Sequence, residues 1–244
     1  MAARKTPEAW YWSYDIKPED LDSVLTPGTR LMRLSSYRKG TAKRYAALVY
    51  QDAGPERRHL LDLDAAELAT RLAETPARPV AITVDTGEAR PRFSLVVQTG
   101  PGALSSVHLD LDEAGVRALL DDQHCIADLA TYAVDGQRRY AVVLEERTGP
   151  VWLFTGVTAH QLDAALVEHG ATLVRLRSYV DAGRPLFAAV AERLDGGWAW
   201  YADLDADAVA RNLEGNAAYP VDLDATRDER GVRFAVIMYR DRER

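Results

Sequence analysis

Six charged side chains stand at one recurring place in this chain: Arg33, Asp128, Arg175, Arg177, Asp222 and Asp224. Arginines so placed would clamp a carboxylate, sulfate or phosphate through paired N–H donors. Aspartates would hold an amine or take a proton as a general base. Each lies in a short segment alternating with apolar residues, as in RLMRLSSY and LVRLRSY, so period two puts the charges on one face of a strand. Met32/Leu34, Val80/Ile82, Ala127/Leu129, Val174/Leu176 and Val221/Leu223 take the opposite face, against helices. Buried charges must be paired or ligand-bound. Two readings therefore stand side by side: a self-neutralising plug of ion pairs, or a polar site for a small charged or zwitterionic molecule.

Other candidates are weaker. Cys125 and His108 fall in one segment, on strands that could neighbour each other, and a thiolate nucleophile needs such a base within reach. A buried free cysteine more often acts as a small hydrophobe. Ser36 and Lys39 match S-x-x-K, but the serine ends a strand instead of opening a helix. No P-loop, G-x-G-x-x-G, G-x-S-x-G or HExxH motif occurs. The five histidines show no paired metal-ligand spacing, and a single cysteine excludes a cysteine-based zinc site. DLDADAV and LDLDEAGV lack the glycine and terminal glutamate of an EF-hand loop. No metal or cofactor is expected.

The elements that must position these residues repeat with a fixed period. A strand aromatic recurs at Tyr45, Phe93, Tyr140, Phe187 and Phe234, and a helix anchor at Leu21, Leu68, Val116, Leu162 and Val209. Each unit reads as a short aromatic or apolar strand, a helix of about ten to twelve residues, a second strand and a third. Asp64, Asp112, Thr158 and Asp205 are expected N-caps, and in the first unit Lys17 and Pro18 hold that place. The pattern is β-α-β-β over residues 9–57, 58–104, 105–150, 151–197 and 198–244. A linear array needs atypical polar end units, and here the end units are as apolar as the rest. The expectation is an α/β single domain, residues 1–244, whose five repeats close into a pseudo-five-fold β/α propeller, with an open arc as the competitor.

Two charges also repeat. Asp15, Asp62, Asp110 and Asp203 precede the helices, while Arg44, Arg92, Arg139 and Arg233 precede the aromatics. In unit four Gly156 and Leu186 replace both, as an intra-unit bridge predicts. Loss of that bridge is expected to leave a gap there. The tryptophans gather on first strands, at Trp10, Trp12, Trp152, Trp198 and Trp200. Most would pack in the core. Those of units one, four and five could also form a rim at one mouth of a ring, and tryptophan and arginine are enriched at interaction hot spots.

The unit WLFTGVTAHQLDAALVEHGATLVRLRSYVDAGRPLFAAVAERLDGG resembles the bacterial tandem-repeat domain, which strings together W…L…R-hydrophobic-x-x-x-Y…G…RYAAV units, at times beside a β-lactamase-like domain as in polyglycine hydrolases. The resemblance covers all five units. It implies a structural repeat and carries over no catalytic residue. Units two and five depart from it, with Asp85 and Thr226 in place of the second-strand tyrosine. A five-fold β/α count is also similar to the pentein architecture, by analogy alone. The reactive cysteine expected late in such a chain is missing.

Composition bounds the partners. Net charge of −7 and an isoelectric point near 5.3 argue against nucleic acid or an anionic membrane. No segment is long and apolar enough to cross a bilayer, and MAARKTPEAWYW lacks an apolar h-region, so a cytoplasmic protein is expected. Arginine far outnumbers lysine, which occurs only at 5, 17, 39 and 43, as in GC-rich bacteria. The reading is a ligand-binding protein, with catalysis left open, set in bacterial specialised metabolism. A small-molecule ligand would occupy the Arg/Asp site. The alternative is a non-catalytic module meeting a partner protein or polymer through a tryptophan-rich face.

Overall fold

The computed structural model describes residues 6–87 and 90–240. The last four residues of unit five and the first five of the chain lie outside them. Unit one comprises β1 (Ala9–Ile16), a 3-10 helix (Pro18–Val24), β2 (Thr29–Lys39) and β3 (Ala42–Gln51). Unit two comprises β4 (Arg57–Leu63), α1 (Ala65–Glu74), β5 (Arg78–Asp85) and β6 (Arg92–Gln98). Unit three follows with β7 (Ser105–Leu111), α2 (Glu113–Ala118), β8 (His124–Val134) and β9 (Gln137–Glu146). Unit four has β10 (Val151–Val157), α3 (Ala159–His169), β11 (Thr172–Asp181) and β12 (Arg184–Glu192). Unit five has β13 (Trp198–Leu204), α4 (Ala206–Gly215), β14 (Ala218–Asp228) and β15 (Gly231–Arg240).

Each unit makes one antiparallel three-stranded sheet, ordered first, third, second. The third strand is therefore central and the most apolar, and the helix carries the chain from one sheet edge to the other. Capping follows the sequence: Asp64, Asp112, Thr158 and Asp205 accept backbone N–H bonds at the starts of α1 to α4. Lys17 offers no such acceptor, and unit one forms a 3-10 helix with only Leu21 buried. α2 stops at six residues. A glycine in so short a helix adds backbone entropy to overcome. The expected ten to twelve residues hold for α1, α3 and α4.

Two irregularities recur in every unit. Register slips in each second strand around Met32, Val80, Ala127, Val174 and Val221. Such a bulge reverses the alternation locally. Ahead of it Leu31, Ile126 and Leu173 fill the core, so plain period-two reading holds only from the bulge onward. Each first strand breaks register before its last residue. There Asp15, Asp62, Asp110 and Asp203 have φ near +60° and Gly156 has φ 66°. Aspartate tolerates the left-handed region better than most residues and glycine best. The aspartate-to-glycine change in unit four thus answers a backbone demand as well as a charge.

The second-strand tyrosine serves that same bend. Tyr37, Tyr132 and Tyr179 hydroxyls accept the N–H of Asp15, Asp110 and Gly156 at 2.9, 3.0 and 3.1 Å. Unit two lacks the tyrosine, and Ser94 Oγ accepts from Asp62 N instead. Asp85, standing in the tyrosine's place, pairs with Arg38 and Lys43 of unit one. The four repeated bridges also form: Arg44–Asp15 at 3.1 Å, Arg92–Asp62 at 3.8 Å, Arg139–Asp110 at 3.5 Å and Arg233–Asp203 at 3.7 Å.

Apolar burial runs between units. Leu68, Phe93 and Leu95 of unit two pack with Ala130, Tyr132 and Val143 of unit three. Equivalent clusters join units one and two, three and four, and four and five. Another sets Val209, Leu213 and Phe234 of unit five against Tyr37, Ala46 and Trp12 of unit one. No unit could bury its faces alone, which is the physical basis of a repeat array.

Candidate functional site

The second strands of successive units lie side by side, with β14 also beside β2. Each is a sheet edge, so it presents unpaired backbone groups, and the next unit satisfies them with side chains. Asp128 Oδ2 accepts from Ile82 N at 2.9 Å. Asp222 Oδ2 and Asp224 Oδ2 accept from Leu176 N and Ser178 N, each at 2.8 Å. Thr83 accepts from Ser36 N and Ser35 from Ala225 N, both at 2.9 Å. Where unit four carries arginine the polarity reverses: Arg175 and Arg177 donate to the carbonyls of Ala127 and Leu129 at 2.6 and 2.8 Å. The polar face read from the sequence is thus a zipper between sheets.

All six charged candidates come together in this zipper. Arg177 lies between Asp128 and Asp222, at 2.6 and 2.8 Å. Arg33 reaches Asp222 at 3.4 Å and Arg175 reaches Asp128 at 3.7 Å. Asp224 bonds Ser35 and Ser178. Asp128 and Asp222 are 0 and 1% exposed, so these are interior charges. Burial works against the Arg177 guanidinium, but Asp128 and Asp222 outweigh it and raise its pKa. Burial also opposes the Asp222 carboxylate, yet Arg177, Arg175 and Arg33 hold it below the ordinary 3.8. For Asp224 burial wins over Arg177 and the Ser178 bonds, and its pKa is raised.

One residue the sequence reading missed alters the charge balance. Arg57, at the start of β4, sends Nη1 to the Met32 carbonyl at 3.5 Å and Nε to Gln98 at 3.0 Å. Arg33 Nη1 donates to that same Met32 carbonyl at 2.6 Å. Among the described residues Arg57 has no carboxylate partner. Burial and then Arg33 bring its pKa to about 9, while burial and Arg175 bring that of Arg33 to about 10. Both stay charged at neutral pH. Counting Arg33, Arg57, Arg175 and Arg177 against Asp128, Asp222 and Asp224, the cluster holds four cations and three anions. The available signal was positional: units one and five carry Trp10 and Trp198 where unit two has Arg57.

The other candidates separate. β9 lies between β7 and β8 in their sheet, so His108 and Cys125 are not on neighbouring strands. His108 meets Ser106, and Cys125 is buried, its thiol pushed up to about 11 chiefly by burial. That suits a small core residue and not a nucleophile. The tryptophans sit on β1, β10 and β13, the edge strands opposite the second strands in their sheets. Trp10 and Trp12 line a groove with α4, and Trp198 and Trp200 one with α3. Trp152 stacks on His169 at 5.5 Å. No group of three or more metal-ligating side chains occurs among the described residues, and no helix there is long and apolar enough to cross a membrane. No protein-family model and no curated protein matches the chain.

Proposed function

We propose that the five units close into a β/α propeller and that the ring binds a small anionic metabolite where Arg33, Arg57 and Arg175 gather at its centre. Closure is supported by Ser35, which accepts from Ala225 N and donates to Asp224 at 3.1 Å, and by Tyr50, whose hydroxyl donates to the Pro220 carbonyl. These contacts join unit five to unit one as the others join neighbours. The observation carrying the ligand is Arg57, a half-buried cation that shares its carbonyl acceptor with a second cation and meets no carboxylate among the described residues. A protein of net charge −7 that gathers arginines inside has a site that an anion would complete. Guanidinium forks suit carboxylate, sulfate or phosphate oxygens.

Thermal unfolding in inorganic phosphate, sulfate and citrate tests this. A ligand at a hundred times its Kd adds about 2.7 kcal/mol to the native state. Wild type should gain with at least one of these anions, and Arg57→Gln should lose the gain without losing ligand-free stability. If no anion stabilises wild type, or if Arg57→Gln responds equally, the site is a closed plug.

A second reading, an interaction module, is favoured by the two tryptophan-lined outer grooves and fits the tandem-repeat resemblance. A partner held there would bind Arg57→Gln and wild type alike.

A further inference from the structure

The repeat supplies its own control for one groove. At the junction of units five and one, Phe234 is covered by two rings of the next unit: Trp12 edge-on at 5.3 Å and Tyr14, also edge-on, at 5.3 Å. Trp12 and Tyr14 stack on each other at 5.8 Å. At the junction of units four and five the first two parts recur, Trp200 standing edge-on to Phe187 at 5.5 Å. The third does not. Ala202 stands where unit one has Tyr14, four periods of 47 apart and one residue before the equivalent left-handed aspartates Asp15 and Asp203. The positions in the other units hold Leu61, Leu109 and Thr155, so Ala202 is the smallest of the five. An open groove of about 650 Å³ results, with Phe187, Pro185, Trp200 and Ala202 in its wall.

The polar residues around it are not equally free. Asp203 is held by Arg230 at 2.6 Å and Arg233 at 3.7 Å. Asp163 accepts from Trp200 Nε1 at 2.9 Å. Arg184 is exposed and has no carboxylate partner among the described residues. Unit four also lacks the Asp–Arg bridge of its neighbours, since Gly156 and Leu186 replace it.

We propose that this groove binds a small aromatic acid. Its ring takes the place that Tyr14 takes one junction on, edge-on to Phe187 and against Trp200, and Arg184 receives its anionic group. Ring pairs of this geometry add to simple area burial, and the Arg184 guanidinium attracts an anionic group at its own end of the groove, with Asp163 near Trp200 on the wall. The site is separate from the arginine cluster at the second strands and does not depend on it.

Calorimetric titration with 4-hydroxyphenylacetate tests the proposal, with acetate as the ringless arm and tyramine as the cationic arm. A ligand of this size should bind in the ~millimolar range, while acetate and tyramine should bind more weakly. Ala202→Tyr should weaken 4-hydroxyphenylacetate at least about tenfold by filling the place with the protein's own ring. Unit one already folds with tyrosine there, and Ala202→Leu, which copies units two and three, should act in the same direction. Arg184→Gln should cost roughly three- to tenfold and remove the preference over tyramine. Arg57→Gln should change nothing here, which separates this site from the central one. No binding by wild type, equal binding of tyramine, or full affinity in folded Ala202→Tyr would overturn it.

Discussion

Arg177 is the residue on which the charged cluster turns, and replacing it with methionine keeps an unbranched apolar stem while deleting the guanidinium and its charge. The side chain makes four close contacts: Asp128 at 2.6 Å, Asp222 at 2.8 Å, and the carbonyls of Leu129 and Leu176 at 2.8 and 2.6 Å. After the change Asp128 keeps two backbone N–H donors and a distant Arg175, and Asp222 keeps Leu176 N and Arg33 at 3.4 Å. Stranding one partner of a buried pair costs about 3–5 kcal/mol. Two carbonyls left without donors add about 1 kcal/mol each at the lower end, partly offset as methionine packs. Arg177→Met should therefore lose about 3–5 kcal/mol in urea unfolding followed by circular dichroism. Asp128→Asn and Asp222→Asn added to it keep an oxygen for Ile82 N and Leu176 N but take the carboxylates from Arg33 and Arg175 as well. That triple variant should recover none of the loss, because it strands two cations where it frees two anions. A loss below about 1 kcal/mol for Arg177→Met would mean hydrated, screened pairs, and the reasoning about a desolvated zipper would fail.

Two further outcomes follow from the same geometry. Ser35→Ala and Thr83→Ala delete equivalent hydroxyls at the five–one and one–two junctions, and each should cost about 1–3 kcal/mol in the same unfolding assay. A neutral Ser35→Ala beside a costly Thr83→Ala would show that the end units do not meet in solution. Asp222 has a native pKa below its ordinary 3.8, so its stabilisation is complete above 3.8 and is lost as pH falls through the native value. The stability gap between wild type and Asp222→Asn should accordingly narrow from about pH 5 to about pH 2, and a constant gap would contradict the assigned shift.

The five-unit frame was legible because its determinants are local or periodic. Anchors such as Leu68 and Leu162 recur at one spacing, and caps such as Asp64 sit beside the groups they satisfy. Even the Asp–Arg bridges could be read, since both charges vanish together in unit four. The bulges around Met32 and its equivalents could not, because any residue type can occupy an extra position whose cause is the packing of neighbouring sheets. The meaning of Tyr37, Tyr132 and Tyr179 was hidden for a related reason. Their partner is a backbone N–H about 22 residues away, exposed only because the first strand bends there. The six charged residues were correctly placed on one face. Their mutual distances, and the part played by Arg57, depend on which second strands adjoin, a property of the whole assembly.

A repeated fold also changes how a site can be sought. Each junction must bury apolar faces and satisfy two sheet edges, so any position doing only that is under the same demand in all five units. Leu34, Ile82, Leu129, Leu176 and Leu223 obey it, all 3% exposed or less. The charged face solves its demand with acceptors at four junctions and with donors from unit four, so that unit's arginines carry positive charge inward in excess of what the backbone requires. Arg57 adds another where two sister units keep tryptophan. Ala202 and Gly156 with Leu186 remove a ring and a bridge at adjoining positions of units five and four. Departures that cost packing or leave charge uncompensated in one unit, while sister units show the cheaper solution, are where selection on something other than folding must act. By that argument the arginine cluster and the groove beside Phe187 are the two places in this chain where we propose a ligand.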